Sequence, residues 1–322
     1  MPFGGMRPGL IWGLDFTPSG SLAVETCDAP QPGALRWLHL NLADHGTRTW
    51  IDGAPLPVDV RELLLSPDTH QRALVDGDTV GCVLHDFERD FDVADTARIG
   101  ALRIALTPTL ILTTRSHPIR SADIVRQRLE RLPALGGPAA ALDLLVGAIT
   151  ENVSGISRTL SDDVRVAEDA LLDGHHPPTP RDLIGIRRRI AQLHRLLGGM
   201  RDVFHRLEED EELPEALLPT VEKLVQRLQS LDGDVIAVQG QLRLLREELD
   251  IQAAQRTNQN LYILSIMTAL MLPATLVTGI FGMNTGGMPL ASPIGTAGAT
   301  ALALGAAVAT YLLLRWLGFM RR

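Results

Sequence analysis

The chain has 322 residues, 45% of them hydrophobic, with 38 acidic and 30 basic residues and a formal net charge of -8. That length accommodates one or two soluble units and a membrane part. The acidic balance disfavours nucleic acid, which requires a basic patch, and is compatible with cations as partners. Nearly all the charge precedes Thr257.

Residues 1–16 contain no long apolar run and no small-residue cleavage site, so no signal peptide is expected. Cys27 and Cys82 make neither a disulfide framework nor a CxxC metal site, and read as reduced cytosolic thiols. Residues 1–135 read as a cytoplasmic α/β domain. Strands are expected at Gly9–Phe16, Leu35–Leu42, Thr79–His85, Ile99–Leu106 and Thr109–Arg115. Leu35, Trp37 and His39 alternate with Arg36, Leu38 and Leu40, the period of two that a strand requires. Pro108 separates the last two strands at hairpin spacing, and a helix is expected over Ile119–Leu132.

Residues 136–256 read as a cytoplasmic helical region and stalk. One apolar stripe runs from Leu142 to Leu171 and a second from Leu183 to Leu207. These two helices are expected to pair antiparallel. A third stripe, Leu217, Val221, Leu224, Leu228, Leu231, Val235, Val238, Leu242, Leu245 and Leu249, alternates steps of four and three without a slip. That is a heptad seam. It continues into an apolar stretch without a break, so stalk and first span are expected to form one helix of roughly 100 Å.

From Thr257 to Leu314 there is no Asp, Glu, Lys, Arg or His. Two spans are expected, at 257–281 and 294–317, each long enough for a hydrocarbon core of about 30 Å. The loop at 282–293 is too short for a domain, so the pair forms a hairpin. Arg243, Arg246 and Arg256 precede it, and Arg315 and the basic tail at 318–322 follow it. The positive-inside rule puts both termini in the cytoplasm and the loop on the outer side of the membrane.

Two spans cannot enclose a polar path, so a pore requires several copies around an axis. Continuing the stalk rhythm gives one face with Asn258, Leu261, Ser265 or its neighbour Leu264, Thr268, Leu272, Thr275 and Gly279. This face either lines a pore, where Leu rings gate by dewetting, or joins helix to helix through its hydroxyls. At its end stand Gly282, Met283 and Asn284. Gly followed at short range by Asn is a common helix C-cap. At the mouth of a pore, the same amides and helix-end carbonyls would present partial negative charge to a hydrated divalent cation.

The run NQNLYILSIMTALMLPATLVTGIFGMNTGGMP resembles the transmembrane signature of the CorA/ZntB family of divalent-cation transporters, and TGGMP is closest to its ZntB zinc branch. The resemblance implies a funnel-shaped homopentamer in the inner (cytoplasmic) membrane, with an α/β cytoplasmic domain, a long stalk helix and two C-terminal transmembrane helices. It implies that the first spans line the pore. It assigns cation recognition to Gly282, Met283 and Asn284, and a cytoplasmic polar ring to Asn258. The transported ion is a divalent cation, Zn2+ favoured over Mg2+, with proton coupling; no cofactor is implied. Magnesium transporters of the family carry an acidic residue after the loop's Met-Pro, whereas Leu290 follows Met288–Pro289 here, which favours the zinc branch. Zinc's usual Cys and His ligands are absent from 257–314, so the ion is expected to cross largely hydrated.

His175–His176 reads as an exposed loop pair, and Glu208–Glu212 as a solvated helix end. Asp15, Asp44 and Glu62 have no partner visible in the sequence. No P-loop, GxGxxG, HExxH or Ser/His/Asp pattern fits its context, so an enzyme is not expected. The competing readings are a magnesium, cobalt or nickel channel of the same family and a membrane-anchored cytosolic sensor.

Overall fold

The computed structural model describes residues 8–18, 20–28, 33–89, 98–132, 134–173, 178–282 and 295–318. Met1–Leu245 and Arg246–Arg322 form two compact units. The first is built on a seven-stranded sheet of β1 (Leu10–Thr17), β2 (Gly20–Ala23), β3 (Leu35–Asn41), β4 (Arg72–Asp76), β5 (Thr79–Phe87), β6 (Ile99–Leu106) and β7 (Leu110–Arg115). The order is β2-β1-β3-β7-β6-β5-β4. Every pairing is antiparallel except β3 with β7.

Between β3 and β4 lie two helices the apolar pattern did not reveal, α1 (His45–Asp52) and α2 (Val58–Leu65). Asp44 caps α1, accepting the Thr47 N–H at 3.1 Å. The two helices share a core with Leu38, Leu40, Val83, Ala105 and Leu112 on one sheet face. The other face receives α3 (Arg120–Leu129), whose Ser121 N–H is held by Asp86 at 2.9 Å. Helices on both faces leave β3 buried on both sides: Trp37, Leu38, His39 and Leu40 are each at most 1% exposed. The alternation in β3 therefore does not divide a wet face from a dry one.

Asp15 finds its partner through strand register. Asp15 sits opposite Arg36, and the guanidinium grips the carboxylate with two bonds of 2.6 Å in a buried site. On the opposite face of β3 His39 stacks on Trp12, with ring centroids 5.1 Å apart. Arg115 Nε donates to His39 Nε2 at 3.0 Å, which leaves Nδ1 to donate to Thr113 Oγ1 at 2.9 Å and fixes a neutral ring. Burial, with the Arg115 charge, pushes the His39 pKa down to about 3. The unfolded ring titrates near 6.5, so the unfolded state binds the extra proton between these values. Stability is full above about pH 6.5 and is lost as pH falls toward about 3. Denaturant unfolding at pH 7 and 4.5 is expected to show this loss, and His39→Gln should shrink it. An unchanged acid slope in the variant would contradict the assignment.

Three long helices complete the unit: α4 (Pro138–Asp173), α5 (Pro180–Glu208) and the first part of α6 (Leu218–Gly282). Gln71 ties α5 to the sheet, donating to Leu196 O at 3.0 Å and accepting the His85 N–H at 3.1 Å. A Cβ at Gly199 would meet the Gln71 amide, so a side chain there would push that amide out of its two hydrogen bonds. The heptad seam of α6 is buried from Val221 to Leu245, half-exposed at Leu249, and uncovered beyond.

The second unit contains the rest of α6, which runs unbroken through Pro273, and α7 (Gly295–Trp316). Among the described residues three helices are long and apolar enough to cross a membrane: α4, α6 and α7. Half of the apolar window in α4 is buried within the chain, against none of it in α6 and 6% in α7. Helix α4 is therefore a core helix, and α6 and α7 carry the apolar surface that needs a lipid or protein environment.

Candidate functional site

The residues singled out on α6 all lie within its second unit. Asn258, Leu261, Leu264, Ser265, Thr268, Leu272, Thr275 and Gly279 are all exposed. The half-covered residues of the same stretch are Ile266, Leu270, Pro273, Val277 and Phe281, with Ala269 and Ala274 at their flanks. At about 100° per residue, the two sets are centred roughly 160° apart. The helix thus has one face partly covered within its own chain and an opposite face, mixing polar groups with Leu, left open. The covered positions of α7 include Ala299, Ala303, Ala306 and Ala307, small side chains that allow close helix approach.

The threonine hydroxyls on this stretch of α6 are satisfied locally. Thr268 donates to Leu264 O at 2.8 Å, Thr275 to Leu272 O at 2.9 Å, and Thr278 to Thr275 O at 3.1 Å. Each hydroxyl oxygen keeps its lone pairs, so this face offers acceptors without a charge. Pro273 supplies no N–H to the carbonyl one turn back, a gap tolerated in spans where nearby hydroxyls and water compensate. Gly282 is the last residue of α6. Met283 and Asn284 lie outside the described residues, as do His175 and His176.

Among the described residues, no group of three or more His, Cys, Asp or Glu is placed to hold a metal. The stalk does contain a charged cluster that sequence reading missed. Asp232, 2% exposed on α6, accepts from His194 Nδ1 at 2.7 Å and Arg201 Nη1 at 3.0 Å, both on α5. Asp143 on α4 pairs with Lys223 at 2.8 Å. The sequence carries no local signal for these pairs, because the partners lie tens of positions apart; only the odd acid beside an apolar seam marks Asp232.

The chain belongs to the family described as CorA-like Mg2+ transporter protein, whose model matches residues 32–320. It is 28% identical over 261 residues to the zinc transport protein ZntB of Yersinia pseudotuberculosis, covering 79% of this chain and 78% of that one. Its fold is similar to that of the CorA magnesium transporter from Methanocaldococcus jannaschii, with a TM-score of 0.79 at 19% identity over 94% of this chain and 96% of that one. It is also similar to full-length CmaX, with a TM-score of 0.77 at 23% identity over 98% and 99% of the two chains.

Proposed function

We propose that this chain is a divalent-cation transporter, not an enzyme, that works as a funnel-shaped homopentamer in the inner (cytoplasmic) membrane. Both termini are cytoplasmic, and zinc is favoured over magnesium as cargo. The observation that carries this reading is the open face of α6. It lies opposite the face partly covered within the chain, and it places acceptor oxygens and Leu side chains in alternation over the apolar stretch. Copies arranged around an axis would turn this face inward and so remove the cost of its polar groups meeting lipid.

On this reading 257–281 and 294–317 are the spans, and 282–293 is the external loop. Gly282, Met283 and Asn284 recognise the ion, and Asn258 forms the cytoplasmic polar ring. The ion passes largely hydrated, because the path has amides and hydroxyls but no Cys, His or carboxylate. Leu261, Leu264 and Leu272 narrow the path and close it by dewetting. Proton coupling would run through water or through groups outside 257–314, since no ionisable side chain lies within it. Zinc is supported by the ZntB relatives and by Leu290 standing where an acid would favour magnesium. A magnesium channel is the second reading, supported by the family's own description.

Proteoliposomes loaded with metal-sensitive dyes test this function. Zinc influx is expected to exceed magnesium influx and to respond to an imposed pH gradient. Magnesium outcompeting zinc would reverse the cargo assignment, and no flux of any divalent ion would defeat the transporter reading.

A further inference from the structure

Helices α4 and α5 carry opposite charges on their exposed surfaces, and the transport reading uses neither. From Asp162 to Asp173, α4 has five acids against one base, Arg165. From Arg181 to Arg195, α5 has five arginines against one acid, Asp182, which is held by its own helix cap at Thr179. The two helices pack on each other, yet most of these charges stay unmatched. Among the described residues Asp163, Glu168 and Asp169 have no ion-pair partner, and neither have Arg181, Arg187, Arg188 and Arg195. Asp162 is paired with Arg165 at 3.1 Å, an exposed contact that is easily exchanged.

Helical phase explains why. On α4, Asp162, Val166 and Asp169 follow steps of four and three and share one exposed face. On α5, Arg181, Ile184 and Arg188 follow steps of three and four and share another. At about 100° per residue, each face lies opposite the buried residues of its helix, Leu160, Val164 and Leu171 on α4 and Leu183 and Ile190 on α5. Each face sets an aliphatic side chain between two like charges, with Val166 63% and Ile184 54% exposed. Placed antiparallel, the two faces match residue for residue: Asp162 meets Arg188, Val166 meets Ile184 and Asp169 meets Arg181. In that register Arg158 and Arg165, the bases near the α4 face, fall opposite the uncharged Gln192 and Gly185. A Cβ on Gly185 would touch nothing, so the position leaves room.

We propose that the acidic face of α4 in one copy docks on the basic face of α5 in a second copy, as a clasp repeated between neighbours. Symmetry supports this occupant. Helix α4 ends at Asp173 and α5 starts at Pro180, so the two run antiparallel in one chain with residue 173 about level with 180. Rotation about an axis along the helices preserves both direction and height. The α4 of one copy therefore meets the α5 of the next antiparallel, and the matched register lies within about one helical turn of level. Different faces supply the two halves, so the contact is heterologous and closes only as a ring. A single exposed ion pair is weak, so the clasp sets the register between neighbours rather than assembling them. The inference rests on the multi-copy assembly of the transport reading and is independent of its cargo.

Cross-linking of the full-length protein in detergent tests the clasp. Val166→Cys and Ile184→Cys, at exposed positions, are made singly and together and treated with a short bis-maleimide. The parent chain supplies the background from Cys27 and Cys82. A ladder of covalent multimers is expected for the double variant, and none above background for either single variant. In the double variant, Asp169→Arg should cut the ladder about fivefold, and adding Arg181→Asp should restore it, a rescue that general loss of structure cannot give. Elution as several copies without a ladder would overturn the clasp and leave the transport reading standing. Elution as a single copy would overturn both. A ladder from either single variant, or one indifferent to charge reversal, would also overturn the clasp.

Discussion

Replacing Asn284 with Ala is expected to cut divalent-cation flux tenfold or more while leaving the oligomer intact. Between 282 and 293 the chain has no carboxylate and no other side-chain amide. The remaining side-chain oxygens are the hydroxyls of Thr285 and Ser292, and a hydroxyl is a weaker cation ligand than a carbonyl. Hydrogen bonds to a charged partner contribute about 1.5–3 kcal/mol each, so losing a ring of amides around one hydrated ion exceeds a factor of ten. Asn284→Asp should preserve capture, because a ring of carboxylates attracts cations more strongly. Flux into dye-loaded vesicles and the elution volume in detergent separate recognition from assembly. Wild-type flux in the Ala variant would remove Asn284 from its assigned role.

The second large effect is structural. Leu242 is 3% exposed on the buried seam of α6. Leu242→Asp puts an unpaired carboxylate where only apolar neighbours are expected, at a cost of about 3–5 kcal/mol. Gln239, one turn earlier on the exposed surface, is the control, and Gln239→Asp should change stability by less than about 0.5 kcal/mol. Denaturant unfolding followed by far-UV circular dichroism measures both. Equal midpoints for the two variants would mean that the seam does not hold the stalk.

The sequence showed the long elements best because their periods repeat. The heptads of α6 are visible from Leu217 to Leu249, and the structure buries that seam as far as Leu245. Five strands were legible from their apolar runs. The two edge strands were not, because β2 has only four residues and β4 mixes charges with its apolar residues at a wet margin. Helix α1 is polar and eight residues long, so its clearest signal was the capping Asp44. Pairings across the fold were invisible in principle. Asp15 with Arg36 needs the strand register, and Asp232 with His194 and Arg201 needs the packing of α5 on α6. On α6 the sequence named one face as a candidate pore lining, and the structure adds that the opposite face is the partly covered one.

Cysteine accessibility on α6 tests the central claim most directly. The native thiols are poor competitors, since burial pushes Cys82 up to about 12 and Cys27 to about 11. Single variants Ser265→Cys, Thr268→Cys and Thr275→Cys on the open face, and Ile266→Cys, Leu270→Cys and Val277→Cys on the covered face, are reconstituted and treated with a small positively charged thiol reagent. The account predicts that modification blocks zinc flux in the first set and leaves it unchanged in the second. Block confined to the second set, or flux indifferent to both, would contradict it.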